Sequence, residues 1–339
     1  MSSELVLVAR DIAAKGILAA DESIPTIKKR FDQIHVENSR EKRRAYRELL
    51  FTAPQLSDYV SAAILFEETL FDRGNDGKTQ LVQHLQGQGI VPGIKVDKGL
   101  KPLPGGAEGE TITQGLDDLA QRCADYYQAG ARFTKFRVLF KVNESGSAPS
   151  ALAIRENAAA LARFAAISQT AGLVPVVEPE VLMQGDHSIE QAFTATKCVL
   201  VECFKAMFDH KVRLDCCLLK PNMVRSGETA CIKSSALDIA QATLRCMKET
   251  VPFVLPGIMF LSGGMTESEA TLSLNEINRL AHGQNLPWRL SFSFGRALQH
   301  SCLRIWQGED EHKAAAQQKL VQMAKNNFHA SLGEFNRTQ

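Results

Sequence analysis

"GILAADESIPT", residues 16–26, begins as a short apolar run and leaves it through a charged, hydroxylated turn. A run of this kind followed by helix-starting residues reads as a strand and the opening of a βα unit. Which α/β fold it opens depends on the turn. An open, doubly wound sheet usually advertises a glycine-rich first βα turn, because glycines let the backbone approach a bound pyrophosphate. "AADESIPT", residues 19–26, contains no glycine and puts Asp21 at the strand tip instead.

Seven further runs follow: "AAILFEE" from Ala62, "VPGIKVD" from Val91, "RFTKFRVLF" from Arg132, "LVPVVEPE" from Leu173, "LDCCLLKPN" from Leu214, "FVLPGIMFLSGG" from Phe253 and "WRLSFSFGR" from Trp288. Their starts fall mostly about forty residues apart, the spacing of βα units with generous helices. The intervals carry helical marks. "TITQGLDDLAQRCADYYQAGA" offers Thr111 or Thr113 as a cap and Gly130 as a stop, and an alanine-rich helix is expected from Ser150 to Gly172. Hairpin spacings are scarce, so successive strands are expected to be parallel and joined through helices. Eight such units predict a closed (β/α)₈ TIM barrel. A single catalytic domain over residues 1–339 is expected, with an N-terminal helix and a short C-terminal tail ending "EFNRTQ".

Composition agrees with a large core and excludes several functions. The 339 residues are 45% hydrophobic and 23% charged, as in a soluble globular protein. With 39 basic and 38 acidic residues the net charge is +1, which supplies no global field for nucleic acid or an anionic membrane. No basic n-region precedes an apolar core, and no run approaches the ~18 residues of a membrane span, so a cytoplasmic protein is expected. The eight cysteines show no CxxC spacing and are expected to be reduced, buried thiols, with Cys216 and Cys217 on opposite faces of a strand. The eight histidines are scattered where a catalytic zinc would want two or three convergent imidazoles, and His187 is expected to be a solvated loop residue.

In an α/β barrel the C-terminal ends of the strands carry chemistry. Here Asp21 closes the first run, Lys95 and Asp97 the third, Glu178 and Glu180 the fifth and Lys220 the sixth; Lys135 and Arg137 lie in the fourth, and Arg296 follows the eighth. Lys135 and Arg137 differ by two, as do Glu178 and Glu180, so each pair shares a strand face. Pro179 and Pro221 are expected to mark where the chain leaves the sheet. Each charge alone is explained as a solvated strand tip; six strands ending in charge are harder to explain so. Lys220, crowded by Lys135 and Arg137 in a partly desolvated mouth, would yield a neutral amine able to attack a carbonyl. The alternative is a structural lysine paired with Glu180. In "LSGGMTESEA", Ser262, Gly263 and Gly264 precede a helix expected near Thr266, and "FSFGRALQ" adds Gly295 and Arg296. Glycines let backbone N–H groups approach an anion, and arginine offers a bidentate fork. The loops after strands seven and eight are the usual phosphate site of barrel enzymes.

With these residues in hand, the chain resembles class I fructose-1,6-bisphosphate aldolases. "KGILAADES", "ILFEETL", "GIKVDKG", "FTKFR", "VPVVEPE", "LLKPNMV", "FLSGG" and "FSFGRALQ" look like the family's motifs in the family's order, over nearly the whole chain. The resemblance implies a homotetramer that reversibly cleaves fructose 1,6-bisphosphate without metal or other cofactor. It implies that Lys220 forms a Schiff base, with Glu178 as acid and base and Glu180 beside the lysine. Asp21 would act on the hydroxyl of the departing fragment, and Lys135, flanked by Arg137, would stabilise negative charge. One phosphate would lie on Ser262, Gly263, Gly295 and Arg296, the other near Lys95, Ser23 and Arg30. Phe136 and Met265 replace a tryptophan and a glutamine common in the family, and no tyrosine stands near the terminus to assist enamine protonation. Two other readings remain. A lysine-dependent aldolase for a mono-phosphorylated or unphosphorylated substrate would leave Lys95 and Arg30 without a purpose. A scaffold binding cytoskeletal filaments, as aldolases also do, has no feature of this sequence in its support.

Overall fold

A computed structural model of the chain describes residues 2–142 and 149–336, so the last three residues of the expected tail lie outside the described residues. Eight parallel strands close into a barrel in which each neighbours the next in sequence and the eighth pairs with the first. They run Gly16–Ala20, Val60–Leu65, Val91–Lys95, Phe133–Phe140, Val174–Val181, Leu218–Leu219, Gly257–Phe260 and Arg289–Phe294. The expected (β/α)₈ barrel is the fold.

Alternation along the strands sorts side chains into an inner and an outer set. Ile17, Ala19, Phe133, Val174, Val176, Cys216, Leu218 and Met259 form an apolar cluster inside the barrel. The N-terminal helix, Ser2–Ala13, joins it through Leu5, Ala9, Ile12 and Ala13, whose spacing lies on one helix face. That helix plugs the N-terminal end of the lumen. Each large side chain fully buried there contributes about 1.5–3 kcal/mol. Outward residues pack on the helical ring. Phe136 stacks on Phe164 of the helix Ala151–Thr170 with ring centroids 5.2 Å apart, so the phenylalanine faces away from the lumen.

Sequence and structure differ where irregular backbone interrupts a pattern. "LDCCLLKPN" is mostly not strand: Leu214–Cys216 is a 3₁₀ turn and only Leu218–Leu219 is strand, although Lys220 N–H still donates to Val177 O at 2.8 Å. Cys216 and Cys217 nevertheless separate, the first into the lumen cluster and the second into the outer core. Pro179 lies inside the fifth strand, paired with Val138, and does not end it. Its missing N–H faces the sixth-strand side, the side on which Val181 N–H bonds the Asn222 side chain at 2.9 Å. The sixth strand has already ended there, so no ladder bond is lost. Thr111 and Thr113 cap no helix; with Leu100–Pro102 the segment Thr111–Thr113 forms an antiparallel hairpin, and the helix starts at Leu119. Six cysteines are buried as expected, whereas Cys198 and Cys231 are exposed; all eight are free.

Candidate active site

At the other end of the lumen the inward positions change from apolar to charged along the same strands. Ile17 and Ala19 lead to Asp21, Phe133 to Lys135 and Arg137, Val174 and Val176 to Glu178 and Glu180, and Leu218 to Lys220. These groups open onto a cavity of about 930 Å³. All thirteen residues singled out from the sequence line it: Asp21, Ser23, Arg30, Lys95, Lys135, Arg137, Glu178, Glu180, Lys220, Ser262, Gly263, Gly295 and Arg296.

Its centre is a chain of alternating charges. Lys220 Nζ lies 3.1 Å from Glu178 Oε1. Glu178 Oε2 lies 3.1 Å from Lys135 Nζ, which is in turn 2.9 Å from Asp21 Oδ2 and 3.6 Å from Asp97 Oδ2. Lys135, Glu178 and Lys220 are only 2–4% exposed. Burial disfavours charge on Asp21, but Lys135 and Lys220 outweigh it and hold the carboxyl well below the ordinary range. Burial likewise opposes charge on Lys135, yet Asp21, Glu178 and Asp97 raise its pKa well above that of a free lysine. Arg137 binds Glu180, its Nε donating to Oε2 at 2.6 Å. Burial nonetheless raises the Glu180 pKa despite that partner.

The pairing corrects two expectations. Lys220 contacts Glu178, not Glu180, and the cations expected to crowd it are each matched by carboxylates. What the geometry offers Lys220 is a proton acceptor within contact distance. His187 is buried, 5% exposed, rather than solvated, and burial lowers its pKa. The loop that carries it is zipped to the next one, with Gly227 N–H donating to His187 O at 2.8 Å and Glu228 N–H to Met183 O at 2.7 Å.

Two glycine-bearing turns flank this centre. After the seventh strand Gly263 and Gly264 take φ of +46° and +83°, and Thr266 caps the helix Glu267–Ala281 reciprocally with Glu269. After the eighth strand Gly295 caps the helix Arg296–Trp306. A Cβ on Gly295 would come within 3.1 Å of Ala19 O, so the approach of the first and eighth strand tips leaves little room for a side chain there. Lys95 Nζ, at the tip of the third strand, lies 2.6 Å from Asp97 Oδ1, and Ser23 Oγ is 3.0 Å from Thr26 Oγ1, while Arg30, paired with Glu22, stands against the Gly295 turn, its Nη2 3.6 Å from where a Cβ on that glycine would be.

Sequence reasoning passed over three residues in this cavity or against it, and gave a fourth, Asp97, no role beyond a strand-end charge. Asp97 bridges Lys95 and Lys135 and accepts from the Arg137 amide at 3.3 Å. Glu22 bonds Arg30 and, at 2.6 Å, Arg47. Asp97 and Glu22 stand inside stretches already quoted, two residues from Lys95 and one from Asp21. Arg47 is one of four arginines in the helix Arg40–Phe51 and carries no local signal. Ser293 lines the cavity two residues before Gly295, its buried Oγ without a hydrogen-bond partner among the described residues.

A class I fructose-bisphosphate aldolase family model matches residues 4–339. The chain belongs to the class I fructose-bisphosphate aldolase family. It is 50% identical over 337 residues to fructose-bisphosphate aldolase 1 of Toxoplasma gondii, covering 99% of this chain and 92% of that protein. It is 51% identical over 336 residues to the cytoplasmic isozyme of Spinacia oleracea, covering 98% and 92%. A solved Plasmodium falciparum fructose-bisphosphate aldolase, in a ternary complex with TRAP and a small molecule inhibitor, superposes with a TM-score of 0.95 at 48% identity, covering 98% of this chain and 95% of that one. The aldolase is therefore a carbon–carbon lyase, and the charged end of its lumen is where that chemistry is sought.

Proposed function

We propose that this aldolase reversibly cleaves fructose 1,6-bisphosphate to dihydroxyacetone phosphate and glyceraldehyde 3-phosphate through an imine on Lys220, without metal or other cofactor, as a step of glycolysis and gluconeogenesis. The observation that carries the proposal is the continuous contact from Lys220 through Glu178 and Lys135 to Asp21.

Before attack Lys220 must give up a proton, and Glu178, at 3.1 Å, is the base at hand. The amine adds to the ketone carbon, and Glu178 returns the proton to the departing hydroxyl as the carbinolamine dehydrates. The protonated imine then receives the electron pair of the breaking carbon–carbon bond and becomes a neutral enamine, a far better sink than a ketone. Asp21, kept ionised by Lys135, accepts the proton of the hydroxyl on the departing aldehyde. Lys135 keeps its own charge throughout and stabilises the developing anion beside it. Arg137 and Glu180 hold the rim of the same wall. Enamine protonation falls to Glu178, and Glu178→Gln is expected to slow deuterium exchange into dihydroxyacetone phosphate.

Ser262, Gly263, Gly295 and Arg296 would take one phosphate at the two turns. Lys95, Ser23 and Arg30 would take the other once substrate competes with Asp97 for Lys95 and with Glu22 for Arg30. Two anchors at opposite ends supply positioning energy. Residues 1–339 would act as one catalytic domain and assemble as a homotetramer, which sedimentation equilibrium tests. Among the described residues no helix is long and apolar enough to cross a membrane. Together with the cytoplasmic relative from spinach, that supports a cytoplasmic location.

The deciding experiment incubates the protein with fructose 1,6-bisphosphate and EDTA, adds borohydride and maps the adduct by peptide mass spectrometry. Reduction onto Lys220 is expected. Activity lost to EDTA with no adduct would replace the proposal by a metal-dependent reaction.

A further inference from the structure

We propose that Met183 is an oxidation site through which hydroperoxides weaken substrate binding at the Ser262–Gly264 turn. This rests on the reading of that turn as a phosphate site. The chain has eight methionines, and of the seven whose burial is described Met183 alone is not buried. Met207, Met247 and Met259 are 0% exposed, Met223 and Met265 2% and Met323 7%. Thioether oxidation follows access, so among these seven Met183 reacts first.

Its position gives the reaction a consequence. A Cβ built on Gly264 would sit 2.5 Å from Met183 Sδ and 3.6 Å from Arg296 Nη2, so the sulfur lies over this glycine and the guanidinium reaches the same glycine. Gly264 takes a φ of +83°, which residues with a side chain rarely adopt, and its lack of one is what admits the sulfur. Met183 is held from behind by the Glu228 amide at its carbonyl, 2.7 Å away. Together with Ser262 and Gly263 it walls a cavity of only about 10 Å³.

A peroxide transfers one oxygen atom to the sulfur lone pair. The O–O bond breaks, an S–O bond forms, the sulfur is oxidised by two electrons, and hydrogen peroxide leaves as water. An apolar thioether thereby becomes a strong hydrogen-bond acceptor. Turned inward, the new oxygen occupies the small space beside Ser262 and Gly263 and competes for their donors. Turned toward Arg296, it takes a donor that phosphate needs. Either way the substrate loses a charge-assisted hydrogen bond, and KM rises about tenfold with kcat retained.

The test oxidises the full-length protein with dilute hydrogen peroxide, quantifies sulfoxide at each methionine by mass spectrometry, and measures KM and kcat for fructose 1,6-bisphosphate. Among the seven described methionines Met183 sulfoxide should form first, and the rise in KM should track it. Dithiothreitol alone, which reverses oxidation of the exposed Cys198 and Cys231, should leave KM raised, and methionine sulfoxide reductase should restore it. Met183→Leu, untouched by peroxide at this position, should keep its KM. A Met183 sulfoxide enzyme with unchanged KM, or Met183→Leu losing affinity as the wild type does, overturns the inference. Unoxidised Arg296→Ala separates the two levels. If it leaves KM unchanged, the phosphate reading fails and takes the inference with it; if it raises KM while Met183 oxidation does not, only the inference fails.

Discussion

The two ends of the lumen are built from the same strands and the same inward face, yet they do opposite work. At the N-terminal end Ile17, Phe133, Val176 and Leu218 meet the plug made by Ile12 and Ala9 in one apolar cluster. Two to four residues further on, Asp21, Lys135, Glu178 and Lys220 share a cavity. Burying apolar groups needs no partner, so the lower end tolerates any close-packed arrangement. Buried charges must be matched or they cost several kcal/mol each, and the upper end solves this by pairing them in a chain. The stability of the lower end makes the costly arrangement at the upper end affordable and holds its geometry.

The comparison is broken most severely at Lys220. Lys220→Met is expected to reduce cleavage by about 10⁴-fold or more while leaving the thermal midpoint nearly unchanged, because Glu178 keeps Lys135 as a partner. Paired kinetics and calorimetry check both halves. Lys135→Met should behave differently: it strands the buried Asp21 and takes one of two cationic partners from Glu178 and from Asp97, and should cost about 3–5 kcal/mol in stability as well as activity. At the lower end Phe133→Ala should cost about 3–5 kcal/mol by urea unfolding, with kcat of the folded fraction retained. A Phe133 variant that lost kcat and kept its stability would mean that the two ends are not separable.

The contrast also explains what could be read from sequence. The apolar half repeats with period two, and the charges interrupt that repeat at the strand tips, so Asp21, Lys135, Glu178 and Lys220 stood out before any coordinates. Their partners did not. That Lys220 meets Glu178 rather than Glu180 depends on strand stagger around a closed barrel, which no local pattern encodes. Asp97 was visible as a charge, but its bridging of Lys95 and Lys135 joins the tips of two strands. The hairpin at Leu100–Pro102 and Thr111–Thr113 was hidden by a glycine- and proline-rich loop between two very short strands. The 3₁₀ turn at Leu214–Cys216 was masked because a buried turn is as apolar as a buried strand. His187 looked solvated because its burial comes from a second loop, forty residues on, closing over it.

The smallest expected effect is on acid stability, where the paired chain should leave a signature that the apolar end cannot. Asp21 has a folded-state pKa below its unfolded value of 3.8, so its contribution is present above that pH and is lost as pH falls through the folded value. Glu180 runs the other way: its folded-state pKa is raised above 4.5, so its proton is bound more tightly in the folded state and its contribution disappears as pH rises through the folded value. The two partly cancel, and a single group changes the proton balance by at most one. Asp21→Asn should therefore remove stability that is present above about pH 4 and flatten the acid limb below it, shifting the acid unfolding midpoint by only roughly a few tenths of a pH unit, whereas Phe133→Ala should lower stability about equally across the titration. Far-ultraviolet circular dichroism across an acid titration distinguishes them. An Asp21→Asn curve displaced uniformly with pH would mean that Asp21 supports the fold through packing, and that its ion pair with Lys135 contributes nothing to stability.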